Sequence, residues 1–381
     1  MKNKLSDILL GNASIKDILP GVLLAAVIAA TSAGIYQGVG ILFKQAGWEK
    51  NPLSIILIAM VLGLILSNVL KLPASLKPGI QFAIKKLLRL GIILMGIRLS
   101  IFAVLKIGVF ALGLVAVCIA SALIITIFLA RMLGISQRLG TLIAAGTSIC
   151  GVSAIAAVSP VIEAEEEETS YAIATITIFG LAATIFYPYL VELLLQLTSV
   201  QAGFFLGTSV HDTSQVAATA LIYNQITRIS DASGITGADI AITTKLVRNT
   251  FLVLVIPLLG ILFNRSRTDK EKSESSGFSI RSFIPLFVIG YLIVAVIRTA
   301  GDSVFGETNA EWIASWKWVK TAAKYVIAAA IAGVGLNTNL KNLTRLGYRP
   351  FVCGLCAAVA VGGVSYTLLQ LFSRYIHISG N

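Results

Sequence analysis

His211 and Asp212 stand side by side inside an apolar stretch of the chain. Ionisable residues are costly to keep in hydrocarbon, so they point to function by default. Asp212 offers a carboxylate to a proton or a sodium ion. The His211 ring can titrate near neutrality or donate to an anion. A satisfied structural pair is the plainer alternative. Lys245 and Arg248 lie three residues apart in a later apolar stretch, which places them on one helix face. Together they can neutralise an anion, the Arg fork suiting a sulfonate, sulfate or carboxylate. Two charges near a helix end are the competing reading.

The His–Asp pair sits in a repeated motif. Residues 146–157 read Gly146-Thr147-Ser148-Ile149-Cys150-Gly151-Val152-Ser153-Ala154-Ile155-Ala156-Ala157. Residues 207–218 read Gly207-Thr208-Ser209-Val210-His211-Asp212-Thr213-Ser214-Gln215-Val216-Ala217-Ala218. Gly-Thr-Ser, a second Ser and the closing apolar-Ala-Ala align without a gap. Gly and hydroxyl residues weaken a continuous helix, and an interrupted helix exposes N–H and C=O groups that can bind an ion or substrate. Packing through small residues accounts for one such copy. Two matched copies, varied in polarity at their centres, favour a site. The candidate substrate-binding set is therefore Gly146, Thr147, Ser148, Cys150, Ser153, Gly207, Thr208, Ser209, Ser214, Lys245 and Arg248. His211 and Asp212 are the candidate ion-coupling pair.

Other chemistries find no residues to carry them. Gly146-Thr147-Ser148 lacks the second glycine of the G-x-S-x-G nucleophile elbow. Of two histidines, His377 lies in the last few residues, and no three or four clustered ligands suggest zinc. No G-x-x-x-x-G-K-[ST] loop is present to hold ATP. The chain reads as no enzyme, with no cofactor and no metal. Cys353-Gly354-Leu355-Cys356 has redox spacing but reads as small residues at a helix contact. The run Glu163 to Glu168 reads as a solvated loop, with a cation-attracting vestibule as the alternative. Lys85, Lys86, Arg89, Lys320 and Lys324 read as interfacial or topological charges.

The elements that must position these residues are helices in a membrane. Of 381 residues, 56% are hydrophobic and 13% charged, against about 25% charged in soluble chains. Apolar runs reach the ~20 residues that cross a bilayer, without the alternation of barrel strands. The net charge of +12 is spread between apolar segments. It orients the chain and does not suggest nucleic acid.

Eleven spans are expected, at about 19–43, 53–71, 79–98, 102–130, 139–162, 169–197, 201–224, 240–263, 282–300, 317–336 and 350–373. They make a single transmembrane domain over 19–376, after an interfacial segment at 1–18. The basic loop 264–281 is placed in the cytoplasm, which leaves the N-terminus cytoplasmic and the C-terminus external. Residues 96–108 and 335–347 share glycines, branched positions and a late basic residue, and they lie on opposite sides. This is the mark of inverted repeats. The Gly-Thr-Ser copies come out parallel in the same topology, so a re-entrant hairpin or a permuted order stays open.

The residues Leu90 to Leu99, Ala145 to Gly151 with Ser153 to Ala157, Gly207 to Asp212, and Lys245 to Arg248 resemble the YeiH-type sulfate exporter family of bacterial inner-membrane proteins. The resemblance covers about residues 20–360. It implies export of sulfate or related sulfur-containing anions. It also implies kinship with folds that cross two broken helices in a core domain beside a panel domain. The Thr213-Ser214-Gln215 that follows His-Asp departs from the family pattern and bears on the coupling role of Asp212. Combined, the residues and the resemblance give a secondary transporter of a small anion, coupled to proton or sodium by alternating access. Its partners are the anion, the coupling ion and the lipid bilayer, with a homodimer left open. A cation/proton antiporter using Asp212, and a non-transporting membrane receptor, are the alternatives.

Overall fold

The computed structural model describes residues 14–45, 53–227, 234–265, 286–306, 308–338 and 347–372. Among them every extended element is helical, as a backbone without water requires. In order they are α1 (Ile15–Gln45), α2 (Ile55–Val69), α3 (Lys77–Phe82), α4 (Leu88–Met95), α5 (Ile101–Met132), α6 (Gln137–Ser148), α7 (Val152–Val158) and α8 (Glu166–Tyr189). Then come α9 (Ser199–Ser209), α10 (Thr213–Thr227), α11 (Gly237–Thr250), α12 (Leu252–Arg265), α13 (Leu286–Phe305), α14 (Ala310–Asn337) and α15 (Tyr348–Leu371).

Short polar residues start several of them. Ser54 accepts from the Leu57 amide at 3.0 Å, Ser136 from Leu139 at 3.2 Å and Asn309 from Trp312 at 3.0 Å, each satisfying a donor the helix cannot. Within the helices, hydroxyls turn back on their own turn. Thr175 donates to Tyr171 O and Thr184 to Gly180 O, both at 2.8 Å. This silences a polar group without a second helix.

Six helices are long and apolar enough to cross a membrane: α1, α5, α8 with its extension to Leu195, α13, α14 and α15. The pair α11–α12, bent by 42°, makes a seventh if taken as one span. Large apolar side chains lie bare on these helices, Phe102 at 72% and Val109 at 71% on α5. Hydrocarbon is the solvent that suits them. The other expected spans are shorter or interrupted. Segment 53–71 holds the 15-residue α2. Segment 79–98 is broken by a π-turn at Ala83–Leu87 between α3 and α4 and closes in a 3-10 turn at Gly96–Arg98. Segments 139–162 and 201–224 are interrupted at the repeated motifs. The N-terminal segment 1–18 up to residue 13, and the basic loop from residue 266, lie outside the described residues.

By its contacts the chain divides into two compact units. The first holds Met1–Ile101, Leu221–Ile229 and Ile289–Lys341. Its helices meet backbone to backbone at glycines. A β-carbon on Gly63 would fall 3.0 Å from Leu336 N, and one on Gly335 would fall 2.8 Å from Leu64 N, so α2 and α14 touch at a reciprocal glycine pair. Asn68 donates to Thr338 O across the same contact at 2.9 Å. The two copies of the 96–108 pattern fall at helix junctions. The first lies between α4 and α5, and the second at the end of α14, where residues 339–346 are outside the described set. The second unit holds Phe102–Ala220, Ser230–Val288 and Asn342–Asn381. Its core joins α5, α6, α7, α8 and α12 through Ile119, Leu142, Ile155, Ile176 and Ile256. Both Gly-Thr-Ser motifs lie in this unit.

Candidate functional site

Each motif ends a helix at its serine. α6 stops at Ser148, and the chain passes through Ile149, Cys150 and Gly151 before α7 begins at Val152. α9 stops at Ser209, and the chain passes through Val210, His211 and Asp212 before α10 begins at Thr213. The two breaks fall at the same three positions of the repeat. Gly151 has φ 71°, a conformation that suits glycine. A β-carbon there would also lie 3.1 Å from the Asp212 Cα. Gly151 therefore lets the two breaks come into contact.

Helix α11 reaches both. A β-carbon on Gly203 would lie 2.6 Å from Gly237 O, and one on Gly207 would lie 2.7 Å from Ala241 O. Steps of four on α9 match steps of four on α11, so the two run parallel with backbones touching. One turn further on, the side chains of Lys245 and Arg248 arrive at the breaks. Both are 1% exposed.

Lys245 Nζ donates to Ile149 O at 2.7 Å, to Val210 O at 3.1 Å and to His211 O. Arg248 Nε donates to Ser148 O at 2.7 Å, Nη1 to Thr208 O at 2.7 Å and to Val210 O at 3.1 Å, and Nη2 to Thr147 O. The last turn of a helix leaves its carbonyls without partners and carries about half a negative charge. Two such ends meet here, and two cations on a third helix satisfy both.

Asp212 caps α10. Its Oδ1 accepts from the Ser214 amide at 2.8 Å and from the Ser214 hydroxyl, while its own amide donates to Gln215 Oε1 at 3.1 Å. The Gln215 side chain crosses to Thr177 O at 3.4 Å and rests on Gly180 of α8. Several buried polar atoms at or beside the breaks have no hydrogen-bond partner: Ser209 Oγ, His211 Nδ1, Thr244 Oγ1 and Asn249 Oδ1. In native interiors such groups are met by water, an ion or a ligand, or they serve as a store of strain or a catalytic group.

The structure thus brings Thr147, Ser148, Cys150, Thr208, Ser209, His211, Asp212, Ser214, Lys245 and Arg248 to one region of the second unit. It uses some of them otherwise than their side chains suggest. The hydroxyls of Thr147, Ser148 and Thr208 donate to Ile143 O, Ala145 O and Phe204 O of their own helices, and Thr208 Oγ1 also lies 2.6 Å from Ser365 Oγ. Their backbone carbonyls make the contacts to the cations. Gly146 and Gly207 are packing glycines, against Ile155 and Ile176 and against Thr244. Ser153 is exposed on α7, unlike its buried counterpart Ser214. Sequence reasoning missed Ile149 and Val210, which contribute only carbonyls, and Asn249, whose Nδ2 donates to Thr213 Oγ1 at 3.2 Å. The polar face around Arg248 was the signal for Asn249.

The acidic run has a local explanation. Glu166, Glu167 and Glu168 form the first turn of α8, where the helix dipole favours negative charge. Glu168 accepts from the Glu165 amide at 3.2 Å and from the Ser136 hydroxyl. Cys353 is buried and Cys356 exposed, and both are free thiols.

Stacked apolar helices with bare hydrocarbon-facing surfaces and a polar centre at two helix breaks define a multi-pass membrane protein. The chain belongs to the family described as Conserved hypothetical protein 698, whose model matches residues 20–354. This is the UPF0324 family, and the YeiH-type family resembled by the motifs is the same one. A UPF0324 membrane protein of Bacillus anthracis is 33% identical over 344 residues, covering 88% of this chain and 94% of its own length. One from Streptococcus pyogenes serotype M18 is 33% identical over 351 residues, covering 92% and 96%. One from Fusobacterium nucleatum is 31% identical over 322 residues, covering 83% and 90%.

Proposed function

We propose that this protein is a secondary active transporter of a small anion of the sulfate, organosulfur or carboxylate class, working by alternating access in a bacterial inner membrane. The observation that carries the reading is the meeting of two interrupted helices at two fully buried cations. Continuous helices would hold a membrane protein together at lower cost, because each break strands backbone groups in a medium without water. Broken helices that gather charge are how secondary transporters build sites for ions and substrates.

The formal charges of Lys245, Arg248 and Asp212 sum to one positive charge, which favours an anion. The donors of Lys245 are engaged with carbonyls, so it acts through its field. The unpartnered atoms of Ser209, His211, Thr244 and Asn249 are the groups left to touch a substrate. Asp212, with His211 beside it, is assigned the coupling role. The reading includes eleven crossings with inverted repeats, four of the crossings in the short or interrupted segments, the N-terminus inside and the C-terminus outside. It assigns no chemistry on the substrate.

The test is counterflow in proteoliposomes, with labelled sulfate, a small sulfonate and a small carboxylate, under imposed pH and sodium gradients. Wild-type protein is expected to give saturable flux of at least one anion. Asp212→Asn keeps an acceptor for the Ser214 amide and is expected to fold with an unchanged unfolding temperature, yet to lose that flux. Absence of saturable anion flux from wild-type protein, or full flux from Asp212→Asn, would sink the assignment.

A further inference from the structure

The ammonium of Lys245 has three N–H donors, and the chain supplies three carbonyl oxygens to meet them: Ile149 O, Val210 O and His211 O. A neutral amine would have only two donors for the three acceptors. Among the described residues, its hydrogen-bond partners include no carboxylate. The oxygens come from two different breaks, one following α6 and one following α9, and unwound backbone presents all three.

Converging uncharged backbone oxygens at helix breaks are how a membrane protein coordinates a bare monovalent cation such as sodium, and hard cations take oxygen ligands. Here a side chain on α11 delivers the positive charge instead. Lys245 is 1% exposed, and the glycine contacts of α11 with α9 fix its helix in place.

We infer that the two breaks form a monovalent-cation site of three backbone carbonyls, and that the Lys245 ammonium is its built-in, permanently tethered occupant. The charge that holds the two broken helices together is therefore part of the chain, and no sodium ion is needed between Ile149 and Val210. The consequence for transport, that a sodium ion bound at this point is not the coupling ion, rests on the reading of the preceding section. The cation site itself does not rest on it.

Removing the ammonium should turn the carbonyl cage into a real ion site. Thermal unfolding of the purified full-length protein is followed in detergent while NaCl, KCl or methylammonium chloride is raised at constant ionic strength against choline chloride. All variants carry Asp212→Asn, so that an ion coupled at that carboxylate does not contribute, and on this background protein that keeps Lys245 is expected to show no cation-specific shift. Lys245→Ala is expected to unfold several degrees lower in choline, and to recover part of the loss with saturation in at least one of the small cations, since a ligand bound only by the folded state stabilises it. Lys245→Met, which keeps the stem and removes the charged head, carries the same titration if the alanine variant does not survive solubilisation.

Saturable, sodium-specific stabilisation of Asp212→Asn protein that keeps Lys245 would overturn the inference. So would a folded Lys245 variant that answers to none of the small cations, or the loss of both variants in every cation buffer. No transport is read in this experiment, so a failure of anion counterflow leaves its result standing.

Discussion

Lys245 and Arg248 place seven hydrogen bonds on six backbone carbonyls of two other helices. Val210 O accepts from both. Four of these bonds come from the planar guanidinium, whose donors point in fixed directions. Arg248→Lys keeps the charge but cannot reproduce that fan. We expect it to lose about 2–4 kcal/mol of stability, since a hydrogen bond from a charged donor contributes about 1.5–3 kcal/mol. Chemical unfolding of the purified variant measures this, and a wild-type midpoint would show that the carbonyl contacts contribute little. The charged pair was legible in the sequence from its spacing and its apolar surroundings. Its partners were not, because a carbonyl oxygen is common to every residue and Ile149 and Val210 carry no letter that announces one. The same limit hid the fact that Thr147, Ser148 and Thr208 act through their backbones.

Gly203 and Gly207 decide whether helix α11 can lie close enough to α9 for those side chains to arrive. Each would put a β-carbon within 2.6–2.7 Å of a backbone carbonyl of α11, and backbone cannot step aside as a side-chain tip can. Gly203→Ala and Gly207→Ala are expected to destabilise by about 1–3 kcal/mol, the usual cost of overpacking, and to reduce anion flux as the charges retreat from the breaks. Gly113→Ala on α5 is the control. Nothing lies within 4 Å of its β-carbon, so it should be neutral or stabilise by up to about 1 kcal/mol through helix propensity. Equal effects at Gly113 and Gly207 in parallel thermal melts would show that close approach is not the cause. At this scale the two matched Gly-Thr-Ser copies made the interruptions legible, since glycine and hydroxyls at equal spacing weaken two helices at equal points. The segmentation of 79–98 was not legible. Its π-turn at Ala83–Leu87 sits in residues that read as one amphipathic helix.

For the molecule as a whole, the helical membrane class followed from composition alone. The number of crossings did not, because length and hydropathy count only uninterrupted helices and the working segments are the interrupted ones. The proposed orientation has a direct check in a Cys356→Ser background, which removes the exposed native thiol. A membrane-impermeant maleimide should label Thr308→Cys in intact cells and Ser275→Cys only after permeabilisation. The reverse pattern would refute a cytoplasmic N-terminus. The carbonyl clasp also sets an order of assembly. α6 and α9 leave the ribosome before α11, so during synthesis six carbonyls exist for a time without the cations that will meet them. An unmet backbone group in hydrocarbon costs several kcal/mol. Both breaks must therefore wait in water, or within the insertion machinery, until residue 248 has emerged. In a Cys118→Ser background, Cys150 in the first break should react with a water-soluble maleimide in a nascent chain arrested after α10, whereas in one arrested beyond α12 it should be protected, as its burial in the finished fold requires.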